Sequence, residues 1–344
     1  MTFPSLAELG WSEHFESQLT ESDSSSTPWR LTSVSRSNLT ALGPTGVVRL
    51  ILPPDRSTGY FTVGDWVLAE VDMVHRRLTP ISLLQRRASG PEARAQLMAA
   101  NAETLGIVTS CNADFNIARL ERYVAMAASA DCQPLIILTR ADETDDPRNF
   151  QQQVEAISPL VTAITLDARD PDEVAKLAPW CATGKTLALM GSSGVGKTTL
   201  TNSLTGANLA TGGIREDDAR GRHTSTSRQM LRTKHGGWLI DTPGMRAVPL
   251  SDASDGIDAV FEDLAELAAQ CKFSDCSHET EPGCAVLAAL ADGRLNETRY
   301  HRWKKLLAEE AHNTATLAEA RKKDRSRQKI YSKGKSRSKA KRDF

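Results

Sequence analysis

Residues 191–198 read Gly191-Ser192-Ser193-Gly194-Val195-Gly196-Lys197-Thr198, and they are the most informative local motif in the centre of the chain. An apolar run before it predicts a buried strand, and a helix is predicted to begin at Lys197. The glycines allow a sharp turn that brings backbone N–H groups against phosphates, while the lysine and threonine supply a positive charge and a Mg²⁺ ligand. The spacing therefore predicts a phosphate-binding P-loop, with a chance match in an ordinary loop as the alternative.

The sequence around this loop alternates short apolar runs with helical patterns. Continuous apolar strands between helices are typical of a parallel sheet that is covered on both faces. We therefore predict an α/β fold for this region. The predicted strands are Leu105–Thr109, Leu135–Leu138, Val161–Thr165, Thr186–Met190 and Trp238–Ile240, and the predicted helices are Ile117–Ala130, a segment around Asp172–Leu177 and one from Lys197.

An acidic residue follows the last of these strands, in Asp241-Thr242-Pro243-Gly244. Because it stands at a strand end after the P-loop, Asp241 is predicted to hold Mg²⁺ through water, and the Gly244 N–H to contact the γ-phosphate. A turn without catalytic meaning is the alternative. Between the two motifs, Gly221–Thr226 lies in a charged stretch with few apolar residues, which indicates a mobile γ-phosphate switch.

A candidate guanine-binding element precedes the P-loop. Guanine selectivity requires a carboxylate that accepts hydrogen bonds from the ring N–H and the exocyclic amine, usually within [NT]-K-x-D. Thr139-Arg140-Ala141-Asp142 has nearly this form after the strand Leu135–Leu138, and Thr165-Leu166-Asp167 lies where a second base-contacting loop belongs. The order of motifs is therefore circularly permuted, although an ordinary strand-ending turn remains the alternative for residues 139–142.

Three cysteines and a histidine cluster late in the chain, as Cys271, Cys276, His278 and Cys284. Four nitrogen and sulfur ligands fill the tetrahedral shell of zinc and leave no position for a reacting water. The cluster predicts one structural zinc ion per chain; the alternative is reduced cysteines beside an incidental histidine. The surrounding region, residues 251–320, is rich in Ala and Leu and is predicted to be helical.

The N-terminal part of the chain has a different texture from the α/β centre at residues 96–250. Residues 1–28 form a polar extension without a predicted fold. Over residues 29–95, short apolar runs with close turns predict a small β-barrel, including strands at Val47–Leu52, Tyr60–Val63 and Trp66–Val71. Residues 1–11 lack the features of a signal peptide and no window is long enough to span a bilayer, so a cytoplasmic location is expected.

The C-terminal end is strongly basic. Residues 321–344 contain twelve Lys or Arg and two Asp, so the rest of the chain is acidic although the whole has a formal net charge of -1. Such a tail is predicted to be disordered and to bind a polyanion, because neutralising phosphates releases counterions. The tail lacks an adjoining apolar face, which favours nucleic acid over an anionic membrane surface.

Together these features resemble the circularly permuted, ribosome small-subunit-dependent GTPases of the RsgA or YjeQ family. The resemblance rests on the barrel, on base-recognition elements before the P-loop, and on the cysteine–histidine cluster after Asp241–Gly244. It implies an OB-fold barrel, a helical zinc domain, and a cytoplasmic, monomeric GTPase that acts on the 30S subunit and its 16S rRNA during late maturation. The alternatives are a nucleotide-binding RNA-assembly module with little hydrolysis and an ATP-dependent P-loop enzyme.

The resemblance also implies residue roles. Two departures concern the base, since Arg140 replaces the usual Lys and Thr165–Asp167 lacks the usual Ser-Ala or Ser-Ser pair. The implied catalytic residues are Lys197, Thr198, Asp241 and His223, with Mg²⁺ on Thr198 and Asp241. The implied contacts of GTP or GDP are Thr139, Arg140, Asp142, Gly191, Ser192, Ser193, Gly194, Val195, Gly196, Lys197, Thr198, Thr199, Thr224 and Gly244.

The residue that completes catalysis must come from elsewhere, because Met245 stands where many GTPases place a water-orienting Gln. His223, in Gly221-Arg222-His223-Thr224, is the candidate, and contact with RNA or simple packing is its alternative role. His223→Ala is predicted to lower subunit-stimulated phosphate release from GTP and to leave GTP affinity unchanged in a nucleotide titration. Unchanged turnover would remove His223 from the mechanism.

Overall fold

The computed structural model describes residues 3–36, 38–54, 56–87, 95–209, 228–242, 250 and 253–316. The predicted basic tail at residues 321–344 lies outside these ranges. The strands are β1 (Thr27–Val34), β2 (Leu39–Gly43), β3 (Gly46–Leu50), β4 (Trp66–Glu70), β5 (Met73–Arg77), β6 (Leu83–Arg87), β7 (Ala95–Ala100), β8 (Thr104–Ser110), β9 (Gln133–Thr139), β10 (Thr162–Thr165), β11 (Thr186–Gly191), β12 (Gln229–Arg232) and β13 (Trp238–Asp241).

Nine α-helices are found in the described part of the chain. Short 3₁₀ turns occupy Glu21–Asp23, Thr58–Tyr60, Ala141–Glu143 and Ala175–Trp180. None of the helices in the described ranges is both long and apolar enough to cross a membrane. The helices are α1 (Glu13–Glu16), α2 (Ile117–Ser129), α3 (Pro147–Glu155), α4 (Pro171–Val174), α5 (Lys197–Thr205), α6 (Ser254–Val260), α7 (Glu262–Ala269), α8 (Ala285–Ala291) and α9 (297–316).

The central sheet has the strand order β10-β9-β8-β11-β13-β12. Its first five strands are parallel, and β12 joins antiparallel to β13. Helices cover both faces: Ile107 of β8 belongs to the core that includes α2, whereas the next residue, Val108, belongs to the core that includes α5. All five predicted strands and the α/β fold are confirmed, and burial on two faces explains why β8 is buried along its whole length.

The first five strands form the predicted small barrel. They lie in the order β3-β2-β1-β4-β5 with antiparallel neighbours, and a bridge between Ile51 and Met73 closes the ring. The segment Tyr60–Val63, predicted as a strand, was assigned wrongly. A 3₁₀ turn ends at Tyr60 instead, because the Gly59 N–H donates to the Ser57 hydroxyl at 3.2 Å and bends the chain.

The N-terminal extension, for which no fold was predicted, packs against the barrel. Leu9 and Phe15 are fully buried. The rings of Trp11 and Phe15 lie 4.9 and 5.8 Å from the ring of Trp66, which is itself fully buried at the start of β4. Apolar burial of this kind attaches the extension to the domain that follows it.

Barrel and central sheet are continuous. Ser33 of β1 pairs with Gln229 of β12, so one hydrogen-bonded sheet runs from the barrel to the α/β domain. Arg30 of β1 is buried at the same junction, where its guanidinium donates to the Asn101 carbonyl at 2.9 Å and to the Thr186 hydroxyl at 2.8 Å. Burial lowers the pKa of Arg30 to about 10, so the side chain stays charged at neutral pH.

The C-terminal helices pack on α2. Glu121 of α2 is fully buried and accepts a hydrogen bond from Nε of Arg302 on α9 at 2.7 Å. Arg122 and Glu309 form a second ion pair between the same helices at 2.5 Å. Because a buried carboxylate needs a charged partner, these contacts fix the cysteine-containing region against the α/β domain.

Candidate nucleotide and metal sites

The P-loop lies between β11 and α5, as predicted. Gly191, Gly194 and Gly196 have φ angles of 153°, 86° and 90°. These are left-handed conformations that L side chains rarely adopt. At Gly191 space is limiting as well, since a Cβ there would lie 2.2 Å from the Val108 carbonyl oxygen. The loop conformation therefore depends on glycine at these positions.

Lys197 begins α5 and folds back over the loop. Its Nζ donates to the carbonyls of Gly191 and Ser192 at 2.8 and 2.7 Å, and its side chain is largely buried. Burial lowers the pKa of Lys197, and the negative charges of Asp241 and Asp114 oppose that shift. Thr198 and Thr199, in the first turn of α5, are half-buried.

Asp241 ends β13, the parallel neighbour of β11, with Leu189 opposite it in register. Its Oδ1 is buried and, within the described ranges, has no hydrogen-bond partner. Burial raises the pKa of Asp241, and the nearby charge of Lys197 opposes the rise. The next residue, Thr242, is held to β11 because its hydroxyl donates to the Leu189 carbonyl at 2.6 Å. The carboxylate therefore lies beside the P-loop with an unsatisfied oxygen.

The predicted base-binding loop contacts the P-loop directly. The Thr139 hydroxyl, at the end of β9, lies 3.0 Å from the Thr109 carbonyl and 2.7 Å from the Val195 carbonyl, and it donates its one hydrogen to the nearer Val195 oxygen. Arg140 has a left-handed backbone with φ 57°, and its Nη2 donates to the Gly194 carbonyl at 2.9 Å. Arg140 also pairs with Glu143 at 3.2 Å. The arginine that replaces the usual lysine therefore bridges the base loop and the phosphate loop.

Asp142 and the second base loop are joined by a residue that the sequence analysis did not select. Arg169 Nη2 lies 2.5 Å from Asp142 Oδ2, and Arg169 Nε lies 3.1 Å from Asp167 Oδ1. Because these hydrogen bonds stabilise the charged forms, the pKa of Asp167 is lowered and that of Arg169 is raised. The only sequence signal was the position of Arg169, two residues after Asp167 in a loop at a strand end.

Asp114 is a second residue near the site that the sequence analysis did not identify. Its negative charge raises the pKa of Lys197 against the effect of burial. Asp114 follows β8 and forms a 2.7 Å ion pair with Arg119 Nη2. Its backbone N–H donates to the Asn112 side chain at 3.0 Å, which fixes the loop. Polar residues after a buried strand, at the same sheet edge as the P-loop, were the signal that would have identified it.

The predictions for His223, Thr224, Gly244 and Met245 fall on residues outside the described part of the chain. The remaining predicted nucleotide contacts all stand at the carboxyl ends of β9, β11 and β13 or in the first turn of α5. In an open α/β sheet this edge is where ligands bind. The permuted order of motifs therefore still brings the base loop, the P-loop and the acid to one edge.

The predicted metal ligands also lie together. The ligand atoms of Cys271, Cys276, His278 and Cys284 lie within 4.8 Å of one another. Cys271 Sγ and Cys284 Sγ are 3.8 Å apart, and His278 Nδ1 lies 3.5 Å from each of them. A tetrahedral ion with bonds of ~2.3 Å to sulfur separates its sulfur ligands by ~3.8 Å. The cluster therefore has the spacing of a four-coordinate metal centre.

Neighbouring groups fix these ligands. Tyr300 of α9 donates its hydroxyl to the His278 carbonyl at 2.6 Å, and His278 has a left-handed backbone with φ 59°. Cys284 caps α8, where its Sγ accepts the Leu287 N–H at 3.4 Å. A helix N-terminus favours negative charge, which suits a thiolate ligand.

Comparison with known proteins identifies similar families and folds. The model of the RsgA GTPase family matches residues 79–251. A model of the ABC transporter family matches residues 180–338, a range that begins just before the P-loop strand. Strand, P-loop and helix are common to many nucleotide-binding proteins. The RsgA match, by contrast, also includes the predicted base-binding loops that precede the P-loop.

Two relatives match over almost their whole length. A small ribosomal subunit biogenesis GTPase RsgA from Mesorhizobium japonicum is 51% identical over 90% of this chain and 91% of its own. The small ribosomal subunit biogenesis GTPase RsgA 2 from Vibrio parahaemolyticus is 45% identical over 93% of this chain and 90% of its own.

Two solved structures share the fold. YjeQ from Thermotoga maritima aligns with a TM-score of 0.59 and 21% identity over 83% of this chain and 98% of its own. YloQ, described as a circularly permuted GTPase, aligns with a TM-score of 0.57 and 22% identity over 85% of this chain and 97% of its own.

The contact between Thr139 and Val195 generates a prediction for nucleotide affinity. Thr139→Val keeps the shape but removes the hydroxyl that holds the P-loop carbonyl, and an unpaired buried acceptor costs about 1–3 kcal/mol. We expect GDP affinity, measured by calorimetric titration, to fall by about tenfold.

Thr109→Val is the matched control. Thr109 is an equally buried threonine near the end of β8, and its hydroxyl has no hydrogen-bond partner in the described part of the chain. Its replacement is expected to leave GDP affinity unchanged. Equal effects of the two substitutions would contradict the role given to the Thr139 hydroxyl.

Proposed function

The chain belongs to the RsgA GTPase family and is a GTPase, and from that premise we propose that it hydrolyses GTP on the small ribosomal subunit during late maturation of that subunit. The observation that carries the proposal is the direct contact of the base loop with the P-loop, through Thr139 and Arg140. This contact supports a single site that combines guanine recognition with phosphate binding. We further propose that the protein works as a monomer in the cytoplasm.

The proposed reaction is in-line attack of water on the γ-phosphate, which breaks the bond from the γ-phosphorus to the β–γ bridging oxygen and releases GDP and phosphate. Backbone N–H groups of residues 191–196 surround the phosphates, and Lys197 exchanges its two carbonyl partners for phosphate oxygens. These groups thereby stabilise the negative charge that spreads over the γ-phosphate oxygens, without forming a covalent bond to the substrate. Gly244 is proposed to contact the γ-phosphate, and His223 to act on the attacking water in place of a side chain at Met245. Asp142 accepts the guanine hydrogen bonds.

Mg²⁺ fits the residues beside the P-loop. The unsatisfied Oδ1 of Asp241 and the half-buried hydroxyl of Thr198 are oxygen donors, which is what Mg²⁺ prefers. When bound with GTP, the ion supplies positive charge at the β- and γ-phosphate oxygens. Asp241 and Thr198 would hold it, directly or through water.

The contact between barrel and sheet supports coupling to the ribosome. Strand β12 directly follows residues 210–227, which contain the proposed switch Gly221–Thr226, and it pairs with β1 of the barrel through Gln229 and Ser33. Arg228 donates to the Leu97 carbonyl of β7 at 3.0 Å. A barrel that binds rRNA would therefore act on the end of the switch segment. The basic tail, residues 321–344, is proposed to add affinity for 16S rRNA.

The experiment that tests the function is multiple-turnover phosphate release from GTP and from ATP, with 30S subunits, with 50S subunits and without ribosomes. We expect 30S subunits alone to raise GTP turnover, by at least about tenfold. Lys197→Ala is the control for contaminating activity. GTP binding without turnover would favour an RNA-assembly module, and equal ATP turnover would favour an ATP-dependent enzyme; either result contradicts the proposal.

The metal of the cysteine–histidine cluster is proposed to be one structural zinc ion, since three sulfurs and one nitrogen fill its shell. Cys276→Ser is predicted to lower the zinc content, measured by mass spectrometry after dialysis, and to lower the Tm, because metal binding stabilises the fold. Cys132→Ala, a buried cysteine outside the cluster, is the control and should keep its zinc. Full zinc occupancy in Cys276→Ser would contradict the assignment.

A further inference from the structure

Arg169 joins the two base loops through a bridge of three side chains. Its Nη2 lies 2.5 Å from Asp142 Oδ2 and 3.2 Å from Asp167 Oδ2, and its Nε lies 3.1 Å from Asp167 Oδ1. The Arg169 backbone N–H also donates to Asp167 Oδ1, at 2.9 Å. Asp167 therefore holds both the backbone and the guanidinium of Arg169, and the same guanidinium contacts Asp142.

The bridge leaves Asp142 able to bind a base. A carboxylate offers two oxygens with about four lone-pair sites. Arg169 uses one site on Oδ2, and Oδ1 accepts no hydrogen bond from the residues that the structure describes. Guanine needs two acceptors, for its ring N–H and its exocyclic amine, and enough sites remain for both. Arg169 and guanine can therefore share Asp142.

We propose that Arg169 is a positioning residue for guanine, which orients the Asp142 carboxylate so that both of its oxygens face the base. The proposal rests on the function proposed above and deepens it. Without the bridge, Asp142 is exposed enough to rotate freely, since 39% of its side chain is accessible. A side chain that is already ordered loses less entropy when a ligand binds.

The contrary possibility is that Arg169 competes with guanine for Asp142. Two features of the bridge favour positioning. Asp167 shares the charge of Arg169, through a paired contact of Nε and Nη2. Asp142 is also held at only one oxygen, whereas a competitor with the two-pronged shape of guanidinium would be expected to take both. The direction of the affinity change decides between the two.

The test is calorimetric titration of the full chain with GDP, inosine diphosphate and ADP. Ordering one side chain is worth about 0.5–1.5 kcal/mol, so Arg169→Ala should weaken GDP binding by about two- to tenfold. Inosine diphosphate lacks the exocyclic amine and needs only one of the two oxygens, so its affinity should fall less. Arg169→Lys should recover part of the loss. Asp167→Asn should act in the same direction as Arg169→Ala.

Arg294→Ala is the matched control, because Arg294 is about as exposed as Arg169, at 61% against 64%, and pairs with an aspartate two residues away. It lies outside the nucleotide site and should leave all affinities unchanged. In an Asp142→Asn background, Arg169→Ala should cause no further loss of GDP affinity if it acts through Asp142. This double-variant measurement separates an effect of Arg169 through Asp142 from a general effect on the loop.

Three results would overturn the proposal: unchanged GDP affinity in Arg169→Ala, tighter GDP binding in that variant, or an equal loss in the Asp142→Asn background. Tighter binding would identify Arg169 as a competitor of the base. Failure of the proposed function has a different signature, since the unmodified chain would then lack a preference for GDP over ADP or show no 30S-stimulated turnover. If the unmodified chain prefers GDP over ADP and Arg169→Ala keeps the same preference, only the positioning role of Arg169 is overturned, and the proposed function stands.

Discussion

The hydrogen bond from the Thr139 hydroxyl to the Val195 carbonyl, 2.7 Å long, is the contact on which the proposed nucleotide site depends. It joins the end of β9 to the P-loop after β11, across the end of β8, which lies between them in the sheet. Arg140 adds a second contact from the same loop to the Gly194 carbonyl. Because parallel strands end at one edge, the chain order of the motifs is free to change while their spatial order is kept.

The rest of the molecule is arranged around this edge. The barrel shares its hydrogen-bonded sheet with β12, which follows the proposed switch segment, and buried Arg30 secures the same junction. On another side, α9 is fixed to α2 by the buried Glu121 and its partner Arg302. The cysteine–histidine cluster, in which the His278 carbonyl accepts a hydrogen bond from Tyr300 of α9, is thereby held to the α/β domain. Both flanking regions therefore contact the domain that carries the P-loop.

The sequence predicted the parts of the molecule that depend on local patterns. Continuous apolar runs identified the five parallel strands, since burial on both faces removes polar alternation. Motif spacing identified the P-loop, and ligand spacing identified the cysteine–histidine cluster. Residues 1–28 had no such signal, because the burial of Leu9 and Phe15 depends on Trp66, far along the chain. Arg169 was missed for the same reason: an exposed arginine in a polar loop has meaning only beside Asp142, which the fold brings to it.

In the proposed site, Asp142, placed before the P-loop in the chain, binds guanine at the P-loop. This role is tested by the affinity of Asp142→Asn for GDP and for ADP, measured with Mg²⁺ in the full chain. An amide donates where the carboxylate accepts, so it opposes the donors of guanine. The variant is expected to lose its preference for GDP over ADP while ADP binding stays as in the unmodified chain. An undiminished preference for GDP would contradict this role.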